Sequence, residues 1–150
     1  MDPTLIVLPC LCANLRRASR ALNHFYEEYL RGAGLSGSQF SILQVLHLAG
    51  ERTQGELGRF LSMDSTTLTR TLAIMQRHHW IAKKPGRDRR ERLIGLSKLG
   101  RKKFARALPR WEKAQLEIRK KVPQHWEPLM RLTTELNHAV SEPQSKGEQL

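Results

Sequence analysis

The chain has 150 residues, in which 26 lysines and arginines outnumber 14 aspartates and glutamates and give a formal net charge of +12. This length suits one compact domain, and this charge indicates a polyanionic partner, nucleic acid above all. The apolar patch Leu5–Leu8 is too short to span a membrane and lacks the basic stretch of a signal peptide. We therefore expect a cytoplasmic protein that does not bind a membrane.

A long first helix is predicted from Leu11 onwards. Apolar residues recur at alternating steps of four and three, and Pro9 suits the first turn. Gly32 and Gly34 are expected to end this helix. The apolar stripe consists of Leu11, Leu15, Ala18, Leu22, Phe25 and Tyr29.

Three short helices follow, each with its own start signal. Ser36 with Gln39 and Thr53 with Glu56 have the spacing of capping boxes, and Asp64 or Ser65 can cap the last of the three. The residues expected inside are Phe40, Leu43 and Leu46 in the first of these helices and Leu68, Leu72 and Met75 in the last, and the short middle helix carries Leu57, Phe60 and Leu61.

The outer face of the fourth helix is unusual for a surface helix. Positions 66, 69, 70, 73 and 77 share one side and carry threonine, arginine or alanine in place of the usual Glu and Lys. These threonines weaken helix propensity, and the sequence shows no compensating packing. Solvated hydroxyls near a helix cap are one explanation. A recognition helix is the other, because short hydroxyls permit close approach to DNA while Arg70 can reach guanine.

A β-hairpin is predicted after this helix. The stretches Trp80–Lys84 and Glu91–Leu96 have strand character, and "PGRDRRER" joins them. A basic loop of this kind is usually only solvated, but after a helix-turn-helix it suits a wing laid along the DNA backbone. Asp88 would pair with a nearby arginine and fix the tip before DNA binds.

Two further helices are predicted downstream of Ser97. The first carries Phe104 and Trp111, with Pro109 as a kink or break, and the second begins near Pro123. Their apolar surface, added to that of the first helix, exceeds what the small winged helix can cover.

Four short stretches carry a specific resemblance. They are "MDSTTLTR" from Met63 to Arg70, "WI" at residues 80–81, "DRR" at residues 88–90 and "LSKLG" from Leu96 to Gly100. Together they resemble the MarR family of bacterial and archaeal transcriptional regulators, over about residues 10–115. The sequence departs from the family pattern at residues 78–80, "HHW", where a glycine usually precedes the first wing strand.

The resemblance implies a mainly α fold with a small β-hairpin wing, a winged helix-turn-helix with N- and C-terminal dimerisation helices. A DNA-binding part at 35–100 would lie within an obligate homodimer whose terminal helices, at 1–34 and 101–140, interleave between subunits. Residues 141–150 are predicted to form a disordered tail.

The DNA partner is expected to be a double-stranded, pseudo-palindromic operator with half-sites about one helical turn apart. Each fourth helix would enter a major groove and each wing an adjacent minor groove. We expect a repressor released by a small aromatic ligand or by an oxidant. The predicted DNA contacts are Ser65, Thr66, Thr67, Thr69, Arg70, Arg77, Arg87, Asp88, Arg89 and Arg90.

Cys10 and Cys12 are too close for a structural cross-link, which agrees with a reducing compartment. The stretch "LPCLCANLRRASRAL" resembles the start of the organic-hydroperoxide-sensing branch of the family, in which oxidation of a cysteine at the position of Cys12 releases DNA. That branch has supporting tyrosines, whereas here Arg16 and Arg17 follow, and they would promote oxidation only if they face the thiol. The alternatives are buried structural thiols near the dimer seam and a soft-metal site.

Other chemistry has little support in the sequence. The six histidines are scattered and no HExxH or paired CxxC occurs, so no metal or cofactor is expected. No phosphate-binding glycine loop or nucleophile elbow occurs either, so we expect no enzyme. The rival class is a basic RNA- or ribosome-associated protein, which would prefer structured RNA to duplex DNA.

Overall fold

The computed structural model describes residues 9–86, 88 and 91–141. Over these residues the chain forms six helices and one small sheet of three strands. It divides into two compact units, the first ending at Ala114 and the second beginning at Gln115. The elements are α1 (Leu11–Arg31), α2 (Gly37–Ala49), β1 (Arg52–Thr53), α3 (Gln54–Leu61), α4 (Ser65–Arg77), β2 (Ile81–Pro85), β3 (Arg92–Leu96), α5 (Lys98–Lys121) and α6 (Trp126–Ser141).

The helix starts of the first unit follow the predicted caps. The Ser36 hydroxyl accepts from the Gln39 backbone N–H at 3.2 Å, and the Gln39 side chain accepts from the Ser36 N–H at 3.0 Å. Thr53 and Glu56 repeat this reciprocal pair at the start of α3. The α1 start differs from the prediction, because Cys10 is the N-cap and Pro9 therefore precedes the helix.

The core of the first unit lies between α2, α3, α4, the sheet and the first half of α5. The Phe40 ring stacks on the rings of Phe104 and Trp111, with centroids 5.5 and 5.6 Å apart. Of the apolar residues that α3 carries, Leu57 is buried but Phe60 is 61% exposed, because this short helix turns only its Leu57 side fully inward. The largest fully buried side chains are Phe40, Leu30, Ile42, Leu43, Leu57, Leu68, Leu72, Met75 and Ile94.

The wing is a hairpin of β2 and β3, each starting one residue later than predicted. Ile81 pairs with Leu96 and Pro85 with Arg92 in antiparallel register. The third strand, β1, was missed by sequence reasoning, and its two residues pair with Leu93 and Ile94 on the other side of β3. Ile94 and Leu96, two positions apart on β3, are fully and partly buried, respectively. The sheet therefore ties the wing to the segment that precedes α3.

The turn between α4 and β2 contains a histidine in a left-handed conformation. His79 has φ +56°, which costs a residue with a Cβ about 1–2 kcal/mol. The His79 carbonyl accepts from the Ser97 hydroxyl at 2.5 Å, and the flanking His78 and Trp80 rings stack with centroids 4.6 Å apart. These contacts stabilise a turn in which the family pattern has glycine.

We expect His79→Gly to raise the free energy of unfolding by up to about 1 kcal/mol, because glycine adopts this φ without steric strain. Urea denaturation monitored by circular dichroism would measure the change. His79→Ala is the matched control, since it removes the imidazole but retains the strained Cβ. Equal stabilisation by both substitutions would contradict a backbone origin.

The last two helices carry Pro109 and a large exposed apolar surface. Helix α5 continues through Pro109, so the proline does not break it. Helix α6 has no buried residue among its 16 positions, although it carries several large apolar side chains. Those exposed most are Leu129, Met130, Leu132 and Val140.

Candidate nucleic-acid interface

The outward orientation of α4 follows from the packing of its inner face. Leu68, Leu72 and Met75 are at most 1% exposed and fix the rotation of the helix about its axis. The opposite side is therefore presented to solvent. All six predicted DNA contacts on this helix are exposed, together with Ala73: Ser65, Thr66, Thr67, Thr69, Arg70 and Arg77.

The start of α4 is fixed by Asp64, which resolves the predicted choice between Asp64 and Ser65. The Asp64 carboxylate accepts from the Thr67 backbone N–H at 2.8 Å. Hydrogen bonds from the Thr67 hydroxyl and backbone N–H hold the pKa of Asp64 below its usual value. One turn later the Thr71 hydroxyl donates to the Thr67 carbonyl at 2.9 Å.

Two glutamines beside the exposed face of α4 were not predicted from the sequence. The Gln54 amide, at the start of α3, donates to the Thr69 hydroxyl oxygen at 2.7 Å. Thr69 can consequently donate its own proton to an acceptor outside the protein. Gln76 lines a shallow groove between Arg70 and Arg77. Neither Gln54, at a helix start, nor Gln76, near a helix end, belongs to a sequence pattern that would predict a site residue.

The wing presents cations from both of its strands. Lys83, Lys84 and Arg92 are exposed, and the Lys84 ammonium pairs with the Glu51 carboxylate at 2.6 Å. Toward the tip, the Gly86 N–H donates to the Glu91 carbonyl and the Glu91 N–H donates to the Asp88 carbonyl. Asp88 is exposed, and its predicted arginine partner remains a prediction. The predicted contacts Arg87, Arg89 and Arg90 lie outside the described residues.

The two cysteine thiols are free and exposed in the single chain. Cys10 caps α1 through its backbone, and its carbonyl accepts from the Asn14 side chain at 3.1 Å. The Arg16 guanidinium lies one helical turn beyond Cys12, with its Nη2 atom 3.5 Å from the Cys12 Sγ. Arg16 therefore faces the Cys12 thiol, which is the arrangement that the prediction from sequence required for an arginine to promote oxidation.

Two kinds of feature are absent from the part of the chain that the structure describes. Residues 9–86, 88 and 91–141 contain no group of three or more His, Cys, Asp or Glu side chains that could bind a metal ion. None of the helices in these ranges is long and apolar enough to cross a membrane.

The arrangement defines a class of protein. Helices α2 to α4 form a helix-turn-helix core, the β2–β3 hairpin follows directly, and the exposed face of α4 carries hydroxyl and guanidinium groups. A helix-turn-helix followed by such a hairpin is a winged helix, and a helix of this composition suits a DNA groove.

Comparisons with known proteins agree with this class. The family model described as MarR family matches residues 33–91. The uncharacterised HTH-type transcriptional regulator YwoH of Bacillus subtilis (strain 168) is 32% identical over 94 residues, covering 63% of this chain and 69% of that protein. The chain belongs to the MarR family of transcriptional regulators, as its sequence motifs predicted.

Solved structures extend the similarity over most of the chain. The M. tuberculosis transcriptional regulator MosR in complex with DNA is 35% identical, with a TM-score of 0.79 and coverage of 87% of this chain and 96% of that chain. A second MosR structure is 32% identical, with a TM-score of 0.80 and coverage of 90% and 98%. The predicted fold, mainly α with a small β wing, is confirmed.

Proposed function

We propose that this protein binds double-stranded DNA sequence-specifically, with α4 in the major groove and the wing in the adjacent minor groove. The outward face of α4 carries the proposal, because Thr66, Thr69, Arg70 and Arg77 are all exposed while the opposite side is buried. The similar regulator MosR has been solved in complex with DNA, which supports the same partner here. The charge of +12 supports a strong phosphate contribution to affinity.

The active species is a homodimer that acts as a repressor on a pseudo-palindromic operator. Two recognition helices related by a two-fold axis require half-sites about one helical turn apart. The exposed apolar surfaces of α1 and α6 support dimerisation through the terminal helices, with the part at 35–100 binding DNA.

We expect Arg70→Ala to weaken operator binding by about 1–3 kcal/mol and to relax the sequence preference, because the side chain would contact a base edge. Arg90→Ala should weaken binding to all duplexes and reduce the salt dependence, unless it inserts into a narrow A·T minor groove. The operator is first selected from a random DNA pool, and fluorescence anisotropy then gives the affinity of each variant.

Arg101→Ala removes an exposed cation from α5, outside the proposed interface, and is the matched control. Equal operator affinity for wild type and Arg70→Ala would contradict the assignment of α4. Tighter binding to structured RNA than to the selected duplex would favour the alternative of an RNA- or ribosome-associated protein.

Release from DNA is proposed to follow oxidation of Cys12. The Arg16 guanidinium lies 3.5 Å from the Cys12 sulfur, and the thiolate is the form of cysteine that attacks peroxide oxygen. The O–O bond of an organic hydroperoxide breaks, an S–O bond forms at Sγ, and an alcohol leaves. The larger polar sulfenic acid would no longer fit a packed dimer seam, so the two recognition helices would lose their spacing.

We expect cumene hydroperoxide to release wild-type protein from its operator, and dithiothreitol to restore binding. Cys12→Ser should keep DNA after oxidant, whereas the matched control Cys10→Ser should respond like wild type. A gel-shift titration measures all three proteins. If Cys12→Ser loses DNA as readily as wild type, the effector is instead a small aromatic ligand between the terminal helices and the winged helix.

A further inference from the structure

A cleft of about 400 Å³ lies in the first unit between the turn that follows α1 and the first half of α5. Its walls are Gly32, Ala33 and Gly34 on one side and Lys103, Arg106 and Arg110 on the other. The three cations lie on one side of α5, at steps of three and four residues. These three are the charged side chains that line the cleft, and all of them are basic.

These cations lack compensation from the protein. Among the described residues, Arg106 and Arg110 have no ion pair or hydrogen bond, and the Lys103 ammonium only lies 4.7 Å above the centre of the Trp80 ring. Like charges three or four positions apart on a helix repel each other. Partial burial lowers the pKa of Lys103, and the neighbouring Arg106 lowers it further.

The glycines allow the cations to approach the backbone of the turn. A Cβ atom on Gly32 would lie 2.7 Å from the Arg110 guanidinium carbon, and one on Gly34 would lie 3.1 Å from the Lys103 ammonium. Gly34 also has φ +64°, a conformation that favours glycine. Backbone atoms of Gly32 and Gly34 therefore form part of this wall of the cleft.

A role in compensating the C-terminal dipole of α1 explains only part of this arrangement. That dipole corresponds to about half a negative charge. Three cations exceed it by more than two charges, which is closer to the charge of a phosphate monoester, about −1.5 to −2, than to that of a single carboxylate. The planar forks of the two arginines also match the several oxygens of a phosphate group.

We propose that this cleft binds a phosphate group, in addition to the interface formed by α4 and the wing. The phosphate belongs either to a small phosphorylated compound or to the DNA backbone, and the second source rests on the proposed function. The charge argument favours a small compound, because a backbone phosphate carries one charge.

The full-length protein is titrated with inorganic pyrophosphate by calorimetry, without DNA and at constant ionic strength. The proteins are wild type, Arg106→Gln, Arg110→Gln and the control Arg101→Gln, an exposed cation of α5 that does not line the cleft. We expect each cleft variant to weaken binding about tenfold or more, and the control to bind like wild type. Urea denaturation verifies that all four proteins are folded.

A second arm measures duplex affinity against salt concentration without pyrophosphate. If wild type binds no pyrophosphate but each cleft variant reduces the salt slope by about one, the phosphate is supplied by DNA. Unchanged salt slopes together with no pyrophosphate binding would overturn the proposal. Cleft variants that bind pyrophosphate as tightly as wild type would overturn it as well, because the cleft would then not be the binding site. An equal loss of affinity in the Arg101→Gln control would also overturn it, because binding would then reflect net charge alone.

Discussion

Leu132→Glu is expected to convert the protein to a monomer and to weaken operator binding by about 10²–10⁴-fold, which is the contribution of a second linked half-site. Leu132 is 54% exposed in the single chain and belongs to the apolar side of α6. In a dimer that buries this helix, the substitution would place an uncompensated carboxylate in each subunit at the interface. Sedimentation gives the oligomeric state, and anisotropy gives the operator affinity.

Thr134→Glu is the matched control for this prediction. Thr134 lies two positions further along α6, on roughly the opposite side of the helix, and is exposed. The same charge there should leave the dimer and its DNA affinity unchanged. A wild-type chain that sediments as a stable monomer at micromolar concentration would contradict the dimer proposal directly.

Gly100→Ala is expected to lower the free energy of unfolding by about 2–4 kcal/mol, because no space exists for the added methyl group. A Cβ at Gly100 would collide with the Trp80 carbonyl oxygen and lie 2.9 Å from the carbonyl carbon. That oxygen also accepts from the Ser97 N–H, and the Gly100 N–H donates to the Ser97 hydroxyl. Relief of the clash must therefore move the start of α5 away from the start of β2.

Gly55→Ala is the control for the glycine effect. A Cβ there meets nothing within 4 Å, and the position is helical, so alanine should stabilise the protein by about 0.5–1 kcal/mol. Urea midpoints at equal protein concentration measure both variants. A loss of stability in Gly55→Ala comparable to that in Gly100→Ala would exclude the steric explanation.

The sequence by itself determined the starts of α2 and α3 and the exposed face of α4. A capping box is a local interaction between residues three apart, so Ser36 with Gln39 and Thr53 with Glu56 specify their helix ends without distant partners. The apolar spacing of Leu68, Leu72 and Met75 likewise fixes which side of α4 is buried. The four stretches that carry the resemblance, one of which contains Arg70, were together sufficient to predict the MarR family and its fold.

Only the tertiary structure decided which side chains meet across elements. The strand β1 is two residues long, and it forms because β3 supplies its hydrogen-bond partners. The Gln54–Thr69 contact joins residues 15 positions apart, and the cationic cleft joins α5 to a turn some 70 residues earlier in the chain. Phe60 is exposed because a helix of eight residues buries only one narrow side. Periodicity specifies the buried side of a helix, whereas contacts between elements depend on how the whole core packs.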